Sequence, residues 1–300
     1  STADKPTDDR TVAFILTTGV HDGGQWDMFA NIVAKYGVVP KDAYNETFQS
    51  SHSFPMSAAL NRNLKACAVK LRQMIADGAT EDQVQAEKAD MLGKIYAFLC
   101  SCYTEPPKTF DFEYVDKDGN YHAENGCTPQ GFCQKYVGDL LDQVVSIINA
   151  PTADKPYGKT FTVDYLGNVV GGRPVKYLNL PSADLKALAI KQLEDGKPVW
   201  FGCDVGQMLT RESGIMGMHT FGYEDLLGVK FGLNKAERLD YSESMMTHAM
   251  VFLGVNLVDG KPNRWKVENS WGDKSGQEGY YIMTDEWFDE YNYQIVVNRK

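Results

Sequence analysis

The chain has 300 residues, 43% of them hydrophobic, with charges of both signs; that is enough for a sizeable core in one domain or two lobes and excludes a disordered polymer. A formal net charge of −10 argues against a nucleic-acid surface, and no apolar run approaches the ~20 residues that a membrane span needs. The six cysteines show no disulfide-framework spacing, which favours a reducing compartment, and the opening STADKPTDDR is neither basic nor apolar as a signal peptide would be.

Residues 11–17 form a short apolar element, and HDGG at 21–24 reads as a loop. Phe29, Ile32, Val33 and Tyr36 then recur at helical spacing, with Gly37 closing the helix and Pro40 soon after. Gly23 and Gly24 have two readings. Backbone without side chains lets an extended substrate approach closely enough to pair with it; alternatively the pair is a plain loop before a helix.

From about residue 57 to 141 the pattern is mainly helical. Leu60, Leu64, Cys67 and Leu71 make one apolar stripe, which Gly78 ends, and place Cys67 in a core. Thr80 and Gln83 form a capping box for a second helix that runs to Cys102, its face set by Val84, Met91, Leu92, Ile95 and Leu99. The fragment Cys100, Ser101, Cys102, Tyr103 invites comparison with a nucleophile signature. A helix C-terminus, however, carries negative partial charge and raises a thiol's pKa, so Cys102 is rejected for that role. His122, Cys127 and Cys133 match no zinc spacing, and no metal or other cofactor is expected.

After residue 160 the period changes. Phe161, Val163 and Tyr165 alternate as a strand that Gly171 and Gly172 interrupt, Ser182 is placed as the cap of a helix through Leu193, and residues 199–205 are an apolar strand that holds Cys203. Residues 207–240 lack clean periodicity and read as a long loop with local helix, with His219 exposed in it. Further strands are expected over 279–283 and 291–297. The class that results is α+β, with a helical lobe, a helical insertion and an antiparallel β lobe.

The stretch 241–283 carries the chemistry. His248, Met250 and Phe252 share one face of a strand, the turn at Asp259 and Gly260 reverses the chain, and Trp265, Val267, Asn269 and Trp271 share a face on the return. An Asn side chain between two indoles needs a buried polar partner, and an imidazole nitrogen would serve. A cysteine nucleophile attacks as thiolate, so it needs a base in reach and a third group that fixes the base's tautomer; Asn does this without adding charge. The plainer alternative is that His248 and Asn269 are ordinary satisfied core polar groups.

The runs MTHAM, RWKVENSWG and GYYIMTDEWF, with DGGQWDMF at 22–29, VWFGCDVG at 199–206 and NKAERL at 234–239, resemble bleomycin hydrolase and the bacterial aminopeptidase C group, a branch of the papain-like cysteine peptidases. The resemblance extends over nearly the whole chain and implies a papain-like two-lobe fold, divided as 1–56 (rest of the helical lobe), 57–159 (a mainly helical insertion serving assembly) and 160–300 (the β lobe). It implies His248 as general base and acid, Asn269 as its orienter, Trp271 as the shield, Gly23 and Gly24 as substrate contacts and Ala249 at the border of a substrate pocket. It also implies a cytoplasmic homo-oligomer, a hexamer, that acts on peptides with a free N-terminus. Papain-like members carry the nucleophile in a C-[WY] context roughly 130–150 residues before the His. No such segment occurs here, so the resemblance implies a Cys outside these 300 residues. In the family a C-terminal tail lies in the cleft and limits action to N-terminal residues, and Lys300 falls short of where that tail is expected. The rival expectation is a non-catalytic protein, a peptide-binding pseudo-peptidase or an assembly subunit.

Overall fold

The computed structural model describes residues 2–21 and 23–299. Asp22, within the expected loop, and Lys300 lie outside the described residues. The chain divides into two compact units, Ser1–Gly24 with Ile32–Gly138, and Gln25–Asn31 with Asp139–Lys300.

The first unit is mostly helical. Helix α1 (Arg10–Thr18) starts where Asp9 Oδ1 accepts from the N–H groups of Thr11 and Val12 at 3.0 and 3.1 Å. Helix α2 (Trp26–Tyr36) begins in the second unit and ends in the first, and short α3 (Phe48–Ser51) follows. Two long helices dominate: α4 (Phe54–Ala76) and α5 (Glu81–Tyr103). The expected capping box starts α5: Gln83 N–H donates to Thr80 Oγ1 and Gln83 Oε1 accepts from Thr80 N–H at 2.9 Å. A hairpin of β1 (Phe110–Val115) and β2 (Tyr121–Cys127) comes next, then α6 (Pro129–Tyr136).

The second unit is built on a sheet. In chain order it contains β3 (Val144–Ile148), β4 (Thr160–Phe161), β5 (Tyr177–Asn179), α7 (Ser182–Glu194), β6 (Val199–Cys203), β7 (Leu209–Thr210), β8 (Ile215–Met216), α8 (Tyr223–Leu227) and α9 (Lys235–Asp240). It closes with β9 (His248–Val258), β10 (Lys261–Glu268), β11 (Tyr280–Thr284), α10 (Asp285–Tyr291) and β12 (Asn292–Asn298). Among the described residues these strands form one sheet in the order β4-β5-β3-β12-β6-β9-β10-β11-β8-β7. Its pairings are antiparallel except β3 with β5 and β8 with β11. The α+β expectation is met.

Alternation explains the core. Phe201 on β6 and Phe252 on β9 stack at 3.8 Å, Trp265 on β10 lies 5.0 Å from Phe252, and Phe288 of α10 closes on Trp265 at 4.9 Å; all four are fully buried. Among the described residues no helix is long and apolar enough to cross a membrane.

Several local expectations change. The face expected on α2 is only partly the buried one: Val33 is buried as expected, but Phe29, Ile32 and Tyr36 are exposed, and Ala30 and Asn31 are buried instead, with Asn31 holding the Arg173 backbone at 2.8 and 2.9 Å. Cys67 is half-buried rather than core, its thiol donating to Asn63 Oδ1 at 3.3 Å. Ser182 is the first residue of α7, not its cap, and its hydroxyl donates instead to Asp289 Oδ1 at 2.6 Å. The strand expected through Tyr165 ends at Phe161, and Tyr165 lies in a turn beyond it with φ +62. Tyr291 ends a helix rather than starting a strand: Thr284 Oγ1 caps α10 by accepting from Trp287 N–H at 3.3 Å.

Candidate active site

The site starts with the way β9 begins. Thr247 donates its N–H to Cys203 O at 2.9 Å, its hydroxyl accepts from Val205 N–H and donates to Asp204 Oδ1 at 3.2 Å, and His248 then pairs in register with Cys203. Asp204 is buried, and its carboxylate also accepts from Ser244 at 2.8 Å and Gln207 at 3.2 Å. Gly202 makes room for this approach, since a Cβ there would stand 2.2 Å from Met246 Sδ. The residue before the histidine is thus fixed by main chain and side chain together.

The turn at Asp259 and Gly260, both with positive φ, returns the chain along β10. Trp265 and Val267 point into the core as expected, but the regular strand stops at Glu268, one residue before Asn269. Asn269 N–H donates to Gly279 O at 3.0 Å. Its side chain is buried, and His248 Nε2 lies 2.9 Å from Asn269 Oδ1.

That contact fixes the tautomer. Asn269 Oδ1 also accepts from Ser270 N–H at 2.8 Å, and a backbone N–H can only donate, so the oxygen is correctly oriented. An amide oxygen cannot donate, so the proton sits on His248 Nε2 and the lone pair of the neutral ring is on Nδ1. Asn269 Nδ2 is buried and, among the described residues, has no partner. The indole of Trp271 packs on the imidazole, centroids 4.9 Å apart and tilted by 32°. Tyr281 meets that indole edge-on at 6.2 Å, and the Arg211 guanidinium covers it at 4.1 Å.

The structure therefore brings His248, Asn269 and Trp271 together. Ala249 follows His248 on β9 and pairs with Gly202 on β6. Gly23 and Gly24 belong to the first unit, in the loop before α2, where Gly23 takes φ +128. Cys203 lies across the sheet from His248, yet it is fully buried; burial first, and the Asp204 carboxylate second, push its thiol well above the ordinary value and keep it protonated. Cys100 and Cys102 occupy the last turn of α5, in the helical unit and not on the sheet that carries His248. His219 is exposed. His122, on β2, stacks on Tyr114 and lies 2.8 Å from Asp116 Oδ2, the leading contact that draws the Asp116 carboxyl down to about 2. Among the described residues no group of three or more His, Cys, Asp and Glu could hold a metal.

Sequence reasoning missed Asp204, Thr247 and Arg211. A carboxylate inside the apolar run 199–205 was a signal, because a buried charge needs several donors. Arg211 gave none, since it lies 60 positions from Trp271 in sequence.

Residues 1–300 match the sequence profile of the Peptidase C1-like family. The chain belongs to that family. It is 51% identical over 300 residues to aminopeptidase C of Streptococcus thermophilus, covering 100% of this chain and 67% of that protein. Aminopeptidase C of Lactobacillus delbrueckii subsp. lactis is 50% identical over 99% of this chain and 66% of its own length. Bleomycin hydrolase of Homo sapiens is 41% identical, again over 99% and 66%. The crystal structure of PepW from Lactobacillus rhamnosis superposes with a TM-score of 0.97 at 53% identity, covering 99% of this chain and 67% of that one. The chain thus spans about two thirds of the length of these relatives. The resemblance read from MTHAM and RWKVENSWG is borne out, and with it a papain-like fold.

Proposed function

We propose that the protein is a cysteine-type aminopeptidase of the bleomycin hydrolase kind, which hydrolyses the N-terminal peptide bond of peptides with a free amino group. The observation that carries this reading is the contact of 2.9 Å between His248 Nε2 and Asn269 Oδ1, which leaves Nδ1 as the basic nitrogen. The nucleophile is a cysteine outside these 300 residues. His248 Nδ1 takes the thiol proton, the thiolate bonds to the scissile carbonyl carbon, and the imidazolium returns the proton to the departing amine as the C–N bond breaks. His248 then deprotonates the water that cleaves the thioester. Asn269 holds ring and tautomer without adding charge, so the thiolate remains the imidazolium's counter-ion. Trp271 keeps water from the hydrogen bond between them.

In this reading Gly23 and Gly24 offer bare backbone to the substrate, and Ala249 borders the pocket for one of its side chains. The division into 1–56, 57–159 and 160–300, an assembly role for the middle segment, a hexamer and a cytoplasmic location belong to the same proposal. They are supported by likeness to the aminopeptidase C group.

Steady-state hydrolysis of an aminoacyl arylamide by the full-length protein tests the assignment. His248→Ala should lower kcat by about 10³-fold or more with the thermal midpoint retained, and thiol alkylation should abolish turnover. Retained activity in His248→Ala, or activity that survives alkylation, overturns it. Peptide binding without cleavage would favour the pseudo-peptidase.

A further inference from the structure

The Arg211 guanidinium lies 4.1 Å from the centre of the Trp271 ring, whose indole also packs on His248. Arg211 is exposed, and among the described residues no carboxylate stands within ion-pairing distance of it. A guanidinium centred over an indole and making no ion pair has its N–H donors left for a bidentate anion. The position is also pre-organised. Arg211 O accepts from Gly276 N–H at 2.7 Å, and the turn is closed by Gly214, whose N–H donates to Thr210 O at 3.0 Å and whose C=O accepts from Ile282 N–H at 2.8 Å. Gly214 takes φ +69, and a Cβ there would meet Tyr280 O at 2.9 Å, so this close approach requires glycine.

We propose that Arg211 is a specificity residue that binds a carboxylate on the leaving side of the scissile bond, and that it favours short peptides, dipeptides above all. The inference rests on the reading of His248 as proton donor to the leaving amine. That amine must come within hydrogen-bond reach of the imidazole against which Trp271 packs. In a dipeptide the leaving amino acid's carboxylate is separated from its nitrogen by a single carbon, which brings it to the rim of that indole, where the unpaired guanidinium waits. A longer leaving peptide, or an amide, presents no charge there.

The test compares a dipeptide with its C-terminal amide, using the full-length protein, Arg211→Gln and Arg211→Lys. The readout is the ratio of the two kcat/KM values. The ratio should fall by roughly two- to fivefold in Arg211→Gln, the range of an exposed ion pair, should be partly kept in Arg211→Lys, and should shrink in the wild type as salt is raised. A ratio that stays the same in Arg211→Gln, including the case where both substrates slow equally because Trp271 has lost its brace, overturns the proposal. Failure of the peptidase reading shows separately, as arylamide hydrolysis that does not respond to His248→Ala. If the protein binds peptides without cleaving them, dissociation constants of the dipeptide and its amide take the place of kcat/KM, and equal values in wild type and Arg211→Gln overturn the proposal.

Discussion

The two units solve the same problem, a stable fold, with different means. In the sheet unit Phe201, Phe252, Trp265 and Phe288 are fully buried and pack ring on ring, and fully buried Trp287 packs on Tyr291. In the helical unit the buried apolar set is Val12, Val33, Leu60, Val84 and Met91, while Phe14, Phe48, Phe54 and Val69 lie more than half exposed. The helices there rely on local devices: the Asp9 cap, the Thr80 capping box, and the ion pair of Lys94 with Asp90 one turn away. The candidate catalytic pair sits on the dense side. A hydrogen bond of set length and tautomer needs backbone that does not drift, and close-packed aromatic layers supply that stiffness better than a half-exposed helix stripe.

The largest effect that sharpens this contrast is a core truncation. Phe252→Ala, in the middle of the aromatic stack and four residues from His248, should cost about 3–5 kcal/mol in urea unfolding. Truncating half-buried Leu64 on α4 should cost clearly less, because little of its surface is removed from water. Equal losses at the two sites would break the comparison.

Density also carries a penalty, and Lys235 shows it. This residue of α9 is buried; its Nζ donates to Asn292 O at 2.6 Å and lies 4.8 Å from the centre of the Tyr293 ring. Burial above all pulls its pKa from 10.5 down to about 7. Between those values the unfolded chain holds a proton that the folded chain releases, so stability rises with pH across this window, and the full penalty is present below about 7. Lys235→Met removes the titrating group and leaves Asn292 O without its donor at every pH. Relative to wild type the variant should therefore gain stability, by roughly a few kcal/mol, as pH falls from about 9 to about 6. Thermal midpoints measured at both ends would show it, and a difference independent of pH would refute it.

What the sequence disclosed follows the same division. The alternation of His248, Met250 and Phe252 and of Trp265 and Val267 is visible because one sheet face is fully buried, so polarity and direction coincide. The capping box at Thr80 was equally visible, since its signal is local. The hairpin of β1 and β2 was not: the segment YHAENGC has no apolar alternation, its burial pattern is almost wholly exposed, and its strand state depends on pairing with Phe112 and Tyr114. The helical spacing of Phe29, Ile32, Val33 and Tyr36 correctly announced α2, but only Val33 of the four is buried, because periodicity cannot say which side meets the core when both sides carry apolar residues. The motif NKAERL carried family information without a visible reason. Its Asn234 and Glu237 form a capping box, Lys235 is buried, and Arg238 pairs with Glu290 while its guanidinium faces Tyr291 at 4.9 Å. The contact of Arg211 with Trp271 joins distant positions and leaves no periodic trace.

The smallest effect belongs to the helical unit and tests whether local devices support it. Thr80→Ala deletes the side-chain acceptor that Gln83 N–H uses and weakens the reciprocal bond from Thr80 N–H to Gln83 Oε1. Both groups are exposed, so water replaces part of what is lost, and the cost should be about 1 kcal/mol, recovered by Ser or Asp at the same position. Few buried contacts hold α5 otherwise, with Val84 and Met91 its buried apolar residues, so the loss should appear first as faster amide hydrogen exchange in the opening turns of α5. Exchange around His248 should not change. If Thr80→Ala left exchange in α5 untouched, the helical unit would be held by packing after all, and the contrast drawn between the two units would lose its physical basis.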